Sequence, residues 1–122
     1  MIRKLTARQA KPFFWHHRHG DITDNAWMTF RACDGVCGAF HAHLWPGVWM
    51  GHLGVKKDAL GRSDEAMMAI LQAFALESGA ERIVGWIEER NRAALAMCRR
   101  IGFEVDGRLP LAEPALMIGW RP

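Results

Sequence analysis

The feature that most constrains the fold is a strand–helix–strand pattern between residues 48 and 88. Residues 48–55 have the pattern of a strand, residues 64–78 carry apolar side chains at helical spacing, and residues 82–87 form a nearly continuous apolar run. Such a run is typical of a strand that is covered on both faces. Because a long helix between two neighbouring strands makes a right-handed crossover, the pattern predicts that Val48–Val55 and Arg82–Glu88 are parallel.

Residues at the ends of the two longer helices indicate where each begins and stops. Ser63 is a suitable N-cap for the first helix, which begins with two acidic residues, as the helix dipole favours, and ends at Gly79. Asn91 is a suitable N-cap for the second helix, which ends at Gly102. Phe103 comes next, at the position where a Schellman-type C-cap makes its hydrophobic contact.

The rest of the chain predicts one weak helix and several short strands. The helix, over residues 6–18, is interrupted by Pro12, and turns at Asp34-Gly35 and Pro46-Gly47 separate antiparallel strands. We expect these further strands at residues 1–7, 26–32, 36–44, 104–109 and 115–120. No repeat or linker divides the chain, so we expect one domain over residues 1–122.

Composition and length narrow the class of protein. The 122 residues have room for a sizeable core, and 50% hydrophobic with 24% charged residues is an ordinary globular composition. No apolar run has membrane-spanning length and no signal-type segment comes after the first residues, so we expect a cytoplasmic protein. The three cysteines are expected to be reduced thiols. A net charge of +3 suits an anionic ligand, either a nucleotide cofactor or a nucleic acid.

The most specific motif comes after the last long apolar run. It consists of Asn91, Ala94, Cys98, Gly102 and Phe103, which lie on or beside the second helix. Together with the residues before it, this stretch resembles the GNAT superfamily of N-acetyltransferases, in particular the compact versions found in bacteriophages and prophages. The family motif is N-x-x-A-x-x-x-Y-x-x-x-G-F, and the chain departs from it only at Cys98, where the family has tyrosine. The resemblance extends over residues 48–107, about half of the chain.

The resemblance implies a GNAT fold of the α/β (α+β) class. This fold has a mixed, mostly antiparallel central sheet of six or seven strands with flanking helices, and two neighbouring parallel strands in it splay apart. Diverging parallel strands open a crevice at their carboxyl ends, which is the ordinary ligand position in open α/β sheets. We expect Gly51 and Gly54 to permit a bulge that begins the divergence.

The resemblance also implies acetyl-CoA as the co-substrate. Its pantetheine arm would lie between the splayed strands and bond to backbone groups of Leu53, Gly54 and Val55. Asn91 and Ala94 would contact it from the second helix. A free backbone N–H on the first of the two strands would polarise the thioester carbonyl, in the manner of an oxyanion hole.

The family's pyrophosphate loop corresponds to a degenerate stretch of this chain, which comprises Leu60, Gly61, Arg62, Ser63 and Asp64. Free amides and the dipole at the start of a helix attract a diphosphate. Gly61 and Arg62 fit the family pattern, whereas Leu60 replaces a basic residue. The carboxylates of Asp64 and its neighbour would repel a diphosphate unless they point away.

His52 is the first candidate for proton transfer. It lies on the strand where several GNAT enzymes place a glutamate or histidine that deprotonates the amine, and a neutral imidazole suits that task directly or through a water. The alternative is a structural role, with the ring stacked beside Trp49 or Trp86. Glu88 and Glu89 are further candidates for the base, although loop carboxylates are usually solvated.

Cys98 is the second candidate, because it occupies the position of the family's tyrosine. That tyrosine often protonates the departing CoA thiolate. A thiol has an ordinary pKa of about 8.5, comparable with that of a simple thiol leaving group, so it could donate. The alternative is a small, packed helix residue, which its short side chain and burial preference favour.

The resemblance implies acetyl transfer from acetyl-CoA to a primary amine of a small molecule or a protein, by a chain that could form a homodimer. A different class of protein remains open. A GNAT fold with a degenerate loop could also serve as a non-catalytic component of a phage virion or of its assembly, in contact with other phage particle proteins and located in the virion.

Two further classes are weighed and set aside. Arginines and six tryptophans could bind nucleic acid, but the strand pattern buries most of these tryptophans and no nucleic-acid motif is present. Histidines and cysteines invite a zinc hypothesis, yet their spacing matches no closed zinc pattern, so no metal is expected. The residues concerned are His16, His17, His19, His41, His43, Cys33 and Cys37.

Overall fold

A mixed sheet runs through the parts of the chain that the computed structural model describes, which are residues 1–16, 27–43 and 45–122. Its strands are β1 (Arg3–Leu5), β2 (Thr29–Cys33), β3 (Val36–Ala42), β4 (Val48–Val55), β5 (Arg82–Glu88), β6 (Glu104–Leu109) and β7 (Ala115–Trp120). The α-helices in these ranges are α1 (Ala7–Ala10), α2 (Asp64–Ser78) and α3 (Arg92–Arg100). Short 3-10 turns cover Lys11–Phe14 and Lys57–Ala59.

The order of the strands across the sheet is β1-β2-β3-β4-β5-β7-β6. Neighbouring strands are antiparallel except for β4 and β5, which are parallel and joined through α2. This confirms the predicted mixed, mostly antiparallel sheet with one parallel pair. The parallel pair lies inside the sheet, with β3 on one side of it and β7 on the other.

The two faces of the sheet are packed differently. On one face, α2 and α3 close the larger core, in which Phe40 stacks on Phe74 with ring centroids 4.0 Å apart and Trp49 meets Phe74 edge-on at 5.1 Å. On the other face, Phe13 and Phe14 of the first 3-10 turn pack in a smaller cluster with residues of β2 and β3. Because side chains alternate along a strand, β4 contributes to both faces.

Local sequence signals position the ends of α2 and α3. Gly79 ends α2 with φ +71°, and the Asn91 side chain caps α3 by accepting a hydrogen bond from the Ala94 N–H at 3.2 Å. Phe103 N–H donates to the Cys98 carbonyl at 2.9 Å, as a Schellman-type end requires. Ser63 differs from the prediction, since its backbone is helical and its side chain makes no capping hydrogen bond.

The first helix is shorter than the predicted residues 6–18. Thr6 and Gln9 form a capping box at its start, but α1 ends at Ala10 and continues only as a 3-10 turn. Pro12 gives the physical reason, because its ring lacks an N–H and clashes with the preceding helical turn. Residues 17 and 18 of the predicted helix lie outside the described residues. The strand predicted at residues 26–32 is present from Thr29 onward as β2, and residue 26 lies outside the described residues.

The predicted bulge in the first parallel strand is wrong. The register of β3 on β4 is continuous from the pair Val36 and Val55 to the pair Ala42 and Trp49. The irregularity lies instead in β6, between residues 105 and 107. Gly54 is required by close packing, since a Cβ there would lie 2.6 Å from the Phe13 carbonyl oxygen.

We therefore expect Gly54→Ala to destabilise the fold. The added methyl group has no space beside the Phe13 carbonyl and the Phe14 ring, so the free energy of unfolding should fall by about 1–3 kcal/mol. Gly107→Ala is the matched control, because a Cβ at Gly107 has no neighbour within 4 Å. Urea unfolding followed by circular dichroism measures both. Equal stability of the two variants would contradict the packing role of Gly54.

Candidate active site

The parallel strands separate soon after they meet. Their pairing comprises three residue pairs, from Val48 with Arg82 to Met50 with Val84. A Cβ at Gly85 would still lie 3.2 Å from the Gly51 carbonyl oxygen, so the two backbones are close at the next step. Beyond that step a cavity of about 650 Å³ opens, bordered by both strands and by the ends of α2 and α3. The divergence expected from the resemblance is therefore present, without a bulge to start it.

Unpaired backbone groups of β4 line this opening. In the antiparallel pair with β3, the bonds from His43 N–H to the Val48 carbonyl and from Lys56 N–H to the Gly35 carbonyl, both 2.9 Å, set the alternation. By that alternation, every second residue of β4 turns its N–H and C=O away from β3 and towards β5. Leu53 and Val55 are such residues and lie beyond the last pair with β5, whereas the peptide groups of Gly54 face β3.

Trp15 forms a hydrogen bond with one of these backbone groups. Its indole Nε1 donates a hydrogen bond of 2.8 Å to the Val55 carbonyl, and its ring borders the cavity. The Lys57 ammonium lies 4.8 Å from the centroid of the same ring. The Val55 carbonyl thus has a hydrogen-bond partner within the chain. The N–H of the same residue is left facing the opening.

His52 borders the cavity from the sheet face opposite α2. Its ring stacks on His41 of β3, with centroids 6.0 Å apart and ring planes at 19°. The structural alternative predicts Trp49 or Trp86 beside this ring. Trp49 points to the other face of the sheet and packs on Phe74, because adjacent residues of a strand face opposite ways.

The start of α2 forms the far end of the cavity. The first intrahelical bond runs from Met67 N–H to the Ser63 carbonyl at 2.9 Å, so the amides of the preceding first turn have no partner within the helix. Leu60, Gly61, Ser63 and Asp64 border the cavity here. Such a helix start favours an anion.

Arg62 points away from this cavity. Its guanidinium donates to the Asp58 carbonyl, at 2.7 Å from one terminal nitrogen and 3.2 Å from Nε. It borders a second, separate cavity near the turn between β2 and β3. Of the predicted loop residues, Arg62 is therefore the one that the structure does not bring to the opening.

Asp64 is paired with a residue that the sequence reasoning did not connect to the loop. Its carboxylate accepts hydrogen bonds from Arg100 of α3, 2.7 Å from Nε and 3.3 Å from a terminal nitrogen. The bond to Arg100 holds the pKa of Asp64 below its ordinary value. Spacing along the sequence gives no signal for this contact, since the two residues are 36 positions apart and on different helices.

Comparison with known proteins gives a clear result at the level of structure. No protein-family model and no curated protein matches the chain. A chimera of the spermidine N-acetyltransferase SpeG from Vibrio cholerae and hSSAT matches with a TM-score of 0.77 at 8% identity, over 99% of this chain and 94% of that chain. An IAA acetyltransferase from Bacillus cereus matches with a TM-score of 0.76 at 8% identity, over 100% of this chain and 99% of that chain. The structure of yncA from Salmonella typhimurium, solved with its cofactor acetyl-CoA, matches with a TM-score of 0.73 at 16% identity, over 99% of this chain and 92% of that chain.

The chain has the GNAT acetyltransferase fold. The match extends over nearly the whole length of each protein, while identities of 8% to 16% restrict it to the fold. This agrees with the resemblance read from the second-helix motif.

Within the GNAT fold, α3 supplies the wall of the cavity opposite the sheet. Asn91, Ala94 and Cys98 all border it. The Cys98 side chain is 5% exposed, and burial raises the pKa of its thiol to about 11. The pKa of about 8.5 used for the sequence-based argument is therefore too low for this site.

The two carboxylates at the end of β5 are held by arginines. Glu88 borders the cavity and accepts a hydrogen bond of 3.0 Å from Arg90 Nε. Glu89 forms an ion pair with Arg108 of β6. Of these two alternative bases, only Glu88 is placed beside the opening of this GNAT fold.

The tryptophans are more exposed than the strand pattern predicts. Trp15, Trp27, Trp45 and Trp86 each have at least 45% of their surface exposed, so the prediction that most are buried is wrong. Trp86 shows the reason, because its side chain lies on the face of β5 opposite the α2 core. Alternation along a strand that appears uniformly apolar still sends half of its side chains to the other face.

The described residues include neither a candidate metal site nor a helix that could span a membrane. Among residues 1–16, 27–43 and 45–122, no group of three or more His, Cys, Asp or Glu side chains is placed to hold a metal ion. Cys33 and Cys37 are buried thiols, and His17 and His19 lie outside these ranges. Within the same ranges no helix is long and apolar enough to cross a bilayer.

The raised pKa of Cys98 predicts slow alkylation of the folded chain. At pH 8 the thiolate fraction of a thiol with a pKa of about 11 is on the order of a hundredfold below that of an ordinary cysteine. Labelling by iodoacetamide should therefore be slow and should accelerate up to about pH 11. Peptide mass spectrometry at several pH values measures it, with the urea-unfolded chain as the control. A labelling rate at Cys98 equal to that in urea would contradict the burial of the thiol.

Proposed function

We propose that this chain is an N-acetyltransferase that transfers the acetyl group of acetyl-CoA to a primary amine of a small molecule or a protein. The observation that carries the proposal is the shape of one cavity. Backbone groups of Leu53 and Val55 border it at the splayed strands, and the start of α2 borders its far end. A strand-like arm that ends in an anion matches both features.

The residues present fit a pantetheine arm with a diphosphate. A cavity of about 650 Å³ has the size of small-molecule and cofactor sites. Leu53 and Val55 offer backbone hydrogen bonds to the arm, and Asn91 and Ala94 at the start of α3 line the opposite side of its position. Gly61, Ser63 and the unpaired amides of the first turn of α2 would hold the diphosphate, while Leu60 contributes an apolar edge.

Acetyl-CoA supplies the acetyl group as an activated thioester. The Val55 N–H would donate a hydrogen bond to the thioester carbonyl and stabilise the negative charge that develops on its oxygen. His52, or a water beside it, accepts the proton that the attacking amine loses when the C–N bond forms and the C–S bond breaks. The stacked His41 ring limits the orientations available to His52.

Cys98 has a smaller role than a proton donor in this proposal. With a pKa of about 11, its thiol stays protonated near neutral pH, and it would be available as a hydrogen-bond donor to the departing sulfur. Complete proton transfer from Cys98 to a thiolate of ordinary pKa, about 8.5, runs uphill. Cys98 would therefore not protonate the departing thiolate, and that proton would come from solvent.

Titration calorimetry with acetyl-CoA tests the proposal. We expect saturable binding with one site per chain, since the cavity is continuous from the splayed strands to the start of α2. Acetyl transfer to a panel of amines, including polyamines and peptides with a free amino terminus, then identifies the acceptor class. Absence of binding, together with co-purification in phage particles, would instead support the non-catalytic virion or assembly role.

His52→Ala should lower turnover without weakening the binding of acetyl-CoA. Loss of a general base typically costs about 10²–10⁴-fold in rate, and the His52 imidazole makes no part of the backbone edge that holds the arm. His43→Ala is the matched control, since His43 lies on the neighbouring strand edge and outside the cavity lining. Steady-state rates and calorimetry measure both variants. Unchanged turnover of His52→Ala would remove His52 from the mechanism.

A further inference from the structure

An acidic residue lies beside the proposed diphosphate position, where its negative charge would repel a bound anion. Asp64 is the first residue of α2 and borders the same cavity as the unpaired amides of the first helical turn. A carboxylate beside a bound anion repels it, most strongly where solvent screening is reduced. Glu65 does not create the same conflict, because it is exposed and borders the second cavity on the other side of the loop.

Arg100 forms an ion pair with the Asp64 carboxylate. It is the last residue of α3, and its guanidinium holds the Asp64 carboxylate through two hydrogen bonds, 2.7 Å and 3.3 Å long. The pair joins the amino-terminal end of α2 to the carboxyl-terminal end of α3, where each charge also suits the dipole of its own helix. Both side chains border the cavity, so the pair lies at its edge.

Ser63 is a second sign that a ligand belongs at this end. It is 5% exposed and borders the cavity, yet its hydroxyl makes no capping hydrogen bond to α2. A serine before a helix usually caps it, so this hydroxyl is left without its usual helical partner. An anion held at the first-turn amides would give this hydroxyl a partner.

We propose that Arg100 is a positioning residue that neutralises Asp64 and turns its carboxylate towards α3, so that the first-turn amides can hold the diphosphate of a nucleotide cofactor. This inference rests on the proposed function. It explains how a loop with an acidic residue at the helix start accepts an anion. Arg100, from a distant part of the chain, thus supplies the positive charge that the loop lacks near Asp64.

A direct contact between Arg100 and the diphosphate is the competing account. In that case Asp64 would only orient the guanidinium, and the arginine would supply the binding energy. The two accounts predict different affinities for a chain in which both side chains have lost their charge. Neutralisation predicts that removing the carboxylate compensates for the loss of the arginine, whereas direct contact predicts no such rescue.

The experiment compares wild type with Arg100→Gln, Asp64→Asn and the double variant. Calorimetry gives the Kd of each for acetyl-CoA and for S-acetylpantetheine, which carries the same thioester arm without phosphates. Arg99→Gln is the matched control, because it removes the same charge from the neighbouring exposed position of α3. Circular dichroism confirms that every variant is folded.

We expect Arg100→Gln to raise the Kd for acetyl-CoA by roughly fivefold, as an exposed charge pair allows, and to leave the Kd for S-acetylpantetheine unchanged. The double variant should return to within about twofold of wild type, and Arg99→Gln should resemble wild type. A double variant as weak as Arg100→Gln, or an unchanged Arg100→Gln, would overturn this inference while leaving the proposed function intact. If wild type binds S-acetylpantetheine and acetyl-CoA equally, the inference is also wrong. If it binds neither, both proposals fail.

Discussion

The separation of β4 from β5 after three residue pairs is the constraint on which the rest of the site depends. Backbone N–H and C=O groups inside a protein need partners, and β4 forms no residue pair with β5 beyond Met50. The chain meets this requirement in part by itself, since the Trp15 indole satisfies the Val55 carbonyl. Groups of Leu53 and the Val55 N–H remain for a ligand that can act as a short strand.

The two ends of the opening differ in charge and chemistry. At the strand end, a backbone donor and an imidazole lie beside largely apolar side chains, as the proposed transfer of an acyl group to an amine requires. At the helix end, the first turn of α2 presents amides, and the Asp64–Arg100 pair keeps the local charge balanced. One elongated ligand with a neutral reactive end and an anionic end accounts for both.

Local signals allowed much of the fold to be predicted from the sequence. The glycine after α2, the Asn91 cap and the Phe103 end of α3 each depend on a few neighbouring residues, so their meaning does not change with the tertiary structure. The site features that the sequence did not reveal are contacts between distant segments. Trp15 reaches a carbonyl 40 residues away, and Arg100 reaches back 36 residues to the loop, which spacing along one element cannot reveal.

Cys98 shows how far a motif can be carried into chemistry. Its position on α3 agrees with the family pattern, and it borders the cavity, but the same packing that fixes it there raises the pKa of its thiol to about 11. A group less acidic than the thiol that departs cannot drive the departure by giving up a proton. In the proposed reaction the barrier is therefore lowered earlier, by the Val55 N–H at the developing oxyanion and by the loss of the amine proton. The proposed catalysis thus depends on the backbone geometry of β4 more than on the residue at position 98.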